Sequence, residues 1–165
     1  MSELFKIFLT SAFTILGGVL IFALTQLIQK FLIEPAYEQS KVIGEICFGL
    51  IYYANRYTNP GVGRPEDLAA TSDTFRRYAS QLQGTTHAIR CYNLFEKLRI
   101  VPKGVDVEEA VGDLIRISNS IHSGNGRENR QDAENVKRLL TLPGGIGWLT
   151  FRWRRRPQEP PQRPA

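Results

Sequence analysis

The residues best suited to carry chemistry are two histidines, two cysteines, a serine-rich turn and three glycine runs. Their spacing argues against each site they would have to build. His87 and His122 are the only histidines, and neither has Asp or Glu at the HExxH-like or i, i+4 spacing that puts metal ligands on one helix face. Both are read as solvent-facing or satisfied within a core. Ser118, Ser120 and Ser123 lie beside His122, but a nucleophile and its base are brought together from distant segments, and no Gly-x-Ser-x-Gly elbow is present. The runs Gly61-Val-Gly, Gly124-Asn-Gly and Gly144-Gly-Ile-Gly follow no predicted strand and lack the Gly-Lys-Ser/Thr ending of a phosphate loop. Cys47 and Cys91 have no close metal-type partners; they could pair, but with apolar flanks on predicted helices they are expected to be buried thiols. No enzymatic activity, cofactor or metal is expected.

What remains is surface chemistry, and it concentrates in two stretches. From Ile7 to Gln29 the chain carries no charge, and Lys6 and Lys30 bracket it. On a helix those lysines stand about 36 Å apart, enough to cross a ~30 Å hydrocarbon layer with some tilt. Thirteen of the residues from Ile7 to Ile28 are Leu, Ile, Phe or Val. At roughly −0.3 to −0.6 kcal/mol each they favour insertion by several kcal/mol. The apolar core is longer than that of a secretory signal, and the following QLIQKFLIEPAYEQ offers no small-x-small cleavage site. An uncleaved transmembrane helix is therefore expected over residues 1–33 with their short N-terminal tail. Ser11, Thr14, Gly18 and Thr25, continued by Gln29, fall on one face of it, as a helix-to-helix contact in lipid would need.

The second stretch is the tail, residues 143–165. Trp148, Phe151, Arg152, Trp153, Arg154, Arg155 and Arg156 interleave large aromatics with cations. Trp favours the headgroup layer, and each cation near an anionic leaflet contributes about 1 kcal/mol. The expectation is contact with the membrane surface, followed by a disordered Pro-rich end over Pro157–Ala165.

The net charge of +5 is unevenly placed. Residues Glu34 to Phe151 hold 14 Lys/Arg against 14 Asp/Glu, whereas Arg152 to Ala165 hold five Arg against one Glu. The central part is electrically balanced, which does not support a nucleic-acid-binding face. Flanking charge barely sets orientation, with Lys6 on one side and Lys30 and Lys41 on the other. The arginines of the tail and the free thiols favour a cytoplasmic C-terminal domain at the cell membrane.

The elements that must position these stretches are all helical. Pro35 removes a backbone donor and is expected to break or kink the first helix, then to open a second that runs to about Tyr57. Val42, Ile43, Ile46, Leu50, Tyr53 and Tyr57 recur on it at helical spacing, and Tyr52, Tyr53 and Tyr57 are expected to pack between helices. Pro65, Glu66 and Asp67 open a third helix. On it Leu68, Phe75, Leu82 and Ile89 are spaced by sevens, each of the first three followed by a small residue four later. A short helix is expected over Cys91–Ile100. Asp106 and Glu109 have the spacing of a capping box, opening a helix with Val107, Val111, Leu114, Ile117 and Ile121 inward and Asp113 and Arg116 outward. A flexible loop over 123–129 and a last helix over about Arg130–Thr141 complete a four- to five-helix bundle at residues 34–142.

The segments GLIYYANRY (49–57), FRRYASQL (75–82) and LIRISNSIHSGN (114–125), with the anchor ahead of them, resemble a family of small, uncharacterised bacterial single-pass membrane proteins with a helical cytoplasmic domain. The resemblance covers about Glu34 to Val136. It implies the architecture and transfers no activity and no functional residue. The expected function is a membrane-anchored interaction or scaffold domain that binds another membrane or cytoplasmic protein. The alternative is a membrane-active or channel-associated protein that works by oligomerisation of its span.

Overall fold

In the computed structural model, residues 3–141 are described, and they are helical with no strand. The first helix, α1 (Glu3–Ile28), passes without a break into a π-helical turn at Gln29–Ile33 and then into α2 (Glu34–Tyr52). Phe5–Tyr52 is thus one 48-residue helix, about 70 Å long at 1.5 Å per residue. Its first half is apolar and long enough to cross a membrane, and its side chains lie on the outside of the protein.

Pro35 does not break the helix as its chemistry suggested. The wide turn before it shifts the pairing: the Glu34 N–H reaches back five residues to the Gln29 carbonyl. A proline ring ordinarily collides with the carbonyl four residues back and leaves it without a donor, and a π-turn is a known way to absorb that. The apolar rod and the first helix of the bundle are therefore a single element.

Beyond α2 the chain turns at Tyr53 into α3 (Ala54–Thr58), then into α4 (Pro65–Ala88), α5 (Tyr92–Lys97), α6 (Gly104–Ser120) and α7 (Gly126–Leu139). α4 packs on α6, α6 on α7 and α2 on α4, so the long helices stand in the order α2–α4–α6–α7. The core runs through Ile46, Leu50, Phe75, Leu82, Val107, Leu114, Ile117, Ile121, Val136 and Leu140. The heptad seam of α4 is buried as its spacing requires: Leu68, Phe75 and Leu82 lie in this core, and Ile89 in a smaller cluster with Ala36, Phe95 and Val101. Ser72 fits the seam because it is small and its hydroxyl is spent, donating to the Ser118 carbonyl at 2.9 Å while Ser118 donates back to the Ser72 carbonyl at 2.9 Å.

Several local expectations are corrected. α6 begins at Gly104 with Lys103 before it, so Asp106 lies inside the first turn and forms no capping box with Glu109. The Gly104 N–H is instead taken by the Glu96 carboxylate at 3.2 Å. α7 begins at Gly126 rather than near Arg130, because the Asn125 side chain caps it by accepting the Arg127 N–H at 3.0 Å. A side chain at Gly126 would overlap the Thr58 carbonyl, so only glycine lets the start of α7 sit this close to α3. α5 spans Tyr92–Lys97, shorter than expected, and closes on Arg99 in the left-handed conformation (φ 58°). There the Ile100 N–H donates to the Phe95 carbonyl and the Arg99 N–H to the Glu96 carbonyl, the two bonds of a Schellman closure. Glycine is the usual residue at that position, and a side chain there costs about 1 kcal/mol.

Candidate functional site

The outer surface of α1 is regular helix, so Ser11, Thr14, Gly18 and Thr25 form one stripe along it. The Thr14 hydroxyl donates to the Thr10 carbonyl and the Thr25 hydroxyl to the Ile21 carbonyl, each at 2.9 Å. Those hydroxyls are thus satisfied within their own helix. What the stripe offers a neighbour is low bulk, and a Cβ added at Gly17 or Gly18 would meet nothing within 4 Å.

The second surface is on α2. Its inward face is buried through Val42, Ile43, Ile46, Cys47 and Leu50. Its outward face is not polar at the far end: Phe48 and Tyr52 are 65% and 68% exposed and stack on each other at 5.7 Å, with Ile51 beside them. Tyr52 was expected to pack between helices; it stands in solvent, while Tyr53 and Tyr57 pack edge-on against Phe75. Phe48 also borders an open groove between α2 and α4 that includes Lys41, Glu45, Arg77 and Gln81. Measured along the helix from Lys30, this aromatic face lies about 30 Å beyond the end of the apolar stretch.

The third feature is a polar seam between α6 and α7. Asp113, expected outward, is fully buried. It follows Ala110 by three and precedes Ile117 by four, so it lies on the inward stripe of α6, a signal the sequence did contain. One carboxylate oxygen accepts from Asn135 at 2.6 Å and the other from Arg116. The Arg116 side chain faces out as expected and also donates to Asp132 across the seam at 3.3 Å. Burial pushes the Asp113 carboxyl above the ordinary carboxylate range, against the lowering effect of Asn135 and then of Arg116.

The remaining candidates are dispersed. Ser118 is buried against Ser72, and Ser120 is bonded to Asn129, whose amide donates to the Tyr57 carbonyl at 2.8 Å. His122 and His87 are exposed, and the His87 ring contacts the Gln83 carbonyl at 2.9 Å. Cys47 is buried, but Cys91 is exposed at the start of α5, contrary to expectation, and both are free. Among the described residues no cluster of three or more His, Cys, Asp or Glu side chains could hold a metal ion. Trp148, Phe151, Arg152, Trp153, Arg154, Arg155 and Arg156 lie outside the described residues. Thr141, the last described residue, borders a hollow with Lys97, Pro102 and Lys103.

No protein-family model, no curated protein and no solved structure matches this chain.

Proposed function

We propose that this protein is a membrane-tethered interaction domain: α1 lies across a lipid bilayer at the cell membrane, and the helical bundle holds a partner protein at the cytoplasmic face, without catalysis. One observation carries the reading. A single unbroken helix is bare and apolar over its first half and packed into the helical bundle over its second. A water-soluble protein would leave Phe8, Ile15, Leu16, Ile21 and Phe22 facing water, at about 25 cal/mol per Å² of apolar surface. The exposed free thiol of Cys91 suits a reducing compartment, which supports the cytoplasmic side.

The surface this reading assigns to the partner is Phe48, Ile51 and Tyr52, because these residues lie too far along the helix to reach the bilayer that α1 occupies. Aromatic anchors of this kind dominate protein interfaces. Purification of the full chain in mild detergent, with identification of co-purifying proteins, tests it. A Phe48→Ser, Tyr52→Ser double variant should lower recovery of a specific partner about tenfold or more with no change in melting temperature. Recovery of the same proteins by the variant and by an unrelated single-pass control would overturn it.

A second reading, homo-oligomerisation through the span, is favoured by the low bulk of the Ser11, Thr14, Gly18 and Thr25 stripe. It predicts crosslinked oligomers of the full chain in membranes. These should be lost in Gly18→Leu, which fills the groove through which helix backbones approach in lipid.

A further inference from the structure

The segment between α4 and α6, residues 89–103, sits at the end of the bundle where α1 enters it. The Arg90 guanidinium stands over the Phe31 ring at 5.3 Å, one residue past Lys30. Gly84, Thr85 and Ala88 of the last turns of α4 face Lys30, Phe31, Glu34 and Pro35 across a shallow hollow. On another side Phe95 and Ile100 line an apolar hollow with Ile33, Ala36 and Tyr37. A half-buried relay fixes the segment there: the Gln39 amide donates to Thr86 at 2.8 Å and to Tyr92 at 3.4 Å, and the Tyr92 hydroxyl donates to the Pro102 carbonyl at 2.9 Å.

This segment has two apolar sides. Phe95 and Val101 are buried against the bundle. Leu94, Leu98 and Ile100 are 52%, 61% and 45% exposed. Among them stand Arg90, Lys97, Arg99 and Lys103 against a single acid, Glu96, which is occupied by the Gly104 N–H. None of the four cations enters an ion pair among the described residues. Arg99 keeps its side chain at a backbone position where glycine is the unstrained choice.

We infer that this segment is a second membrane contact: it seats in the headgroup layer of an anionic leaflet, with Leu94, Leu98 and Ile100 at the acyl boundary and Arg90, Lys97, Arg99 and Lys103 on lipid phosphates. The inference rests on the reading that α1 spans the bilayer. The commitment to lipid follows from continuity with that span and from charge complementarity: exposed aliphatics interleaved with cations that have no acidic partner are the two weak signals that together hold a segment to an anionic surface. The contact would fix the tilt of the bundle and carry the aromatic face of α2 away from the bilayer.

The test uses the full chain in nanodiscs with doxyl-labelled lipids, anionic or zwitterionic. A fluorophore is placed on Cys91 in a Cys47→Ala background, or on Val19→Cys or Asn55→Cys with both native cysteines replaced by alanine. Val19 reports the span, Cys91 the segment and Asn55 the far end of the bundle. The expected result is quenching at Val19 by a mid-chain doxyl. In anionic discs Cys91 should be quenched by a doxyl near the headgroup, and Asn55 should not be quenched. Lys97→Gln with Arg99→Gly should lose most of the Cys91 quenching while melting no lower than the parent, because glycine relieves the backbone at Arg99. Quenching at Val19 without quenching at Cys91 would overturn the inference and leave the span standing. Cys91 quenching that ignores lipid charge and the double variant would also overturn it, as would shielding of Cys91 that vanishes at one chain per disc, which would point to a second copy. No quenching at Val19 would remove the span and this inference together.

Discussion

Phe75→Ala should destabilise the bundle by about 3–5 kcal/mol, a large part of the total stability of a domain this size. Phe75 is fully buried in α4 and is the hub of an aromatic cluster, with Tyr53 at 6.0 Å, Tyr57 at 5.9 Å and Tyr78 at 6.2 Å, all edge-on. Truncation removes the transfer energy of the ring, opens a cavity beside Tyr53, Tyr57 and Tyr78, and forfeits three edge-to-face contacts worth about 0.5–1.5 kcal/mol each. Tyr57 would keep its hydroxyl bond to the Leu50 carbonyl at 2.8 Å and so could not swing in to fill the space. Denaturant unfolding of the detergent-solubilised protein, followed by circular dichroism, measures the effect. A loss under about 1 kcal/mol would mean that the cluster is not the centre of the core.

Asn135→Ala should cost about 2–3 kcal/mol near neutral pH, and less in acid. Asn135 supplies one of the two direct partners of the buried Asp113 carboxylate. Removing it leaves an oxygen of a buried anion unpaired. The raised pKa of Asp113 means that its site favours the neutral acid over the carboxylate. Its contribution is therefore greatest below the ordinary carboxylate range and is lost as the pH rises through the folded value. Without Asn135 the folded value rises further, so the gap between variant and parent widens with pH. Melting curves followed from below the ordinary carboxylate range upward through neutral pH measure how the gap changes. A gap that narrows with rising pH would contradict the assignment.

The long-range helical pattern was legible, and the short-range chemistry was less so. The heptad positions of α4 and the large apolar inward residues of α6 read correctly, because apolar periodicity reports the packing that forms those helices. The opening of α4 at Pro65 read correctly because proline and two acids mark a helix start locally. Asp106 misled for the opposite reason: the helix opens two residues earlier, at Gly104, whose N–H is taken by Glu96 from the preceding element. The glycines at 124 and 126 suggested a loop, although Asn125 with Glu128 three later is itself a start signal, and Asn125 does donate to Glu128 at 3.1 Å. Pro35 suggested a break, and a single π-turn absorbed it. Polarity alone points Asp113 outward, although its register puts it on the inward face. The exposure of Phe48, Tyr52, Leu94 and Leu98 could not be read at all, since apolar residues on a helix reveal that they seek burial but not which neighbour provides it.

Alkaline carbonate extraction of membranes carrying the full chain tests the anchoring claim most directly. The account predicts that the intact polypeptide, still beginning upstream of residue 30, remains in the membrane pellet. Release of the full-length chain into the supernatant, or a mature form that starts beyond that residue, would contradict it.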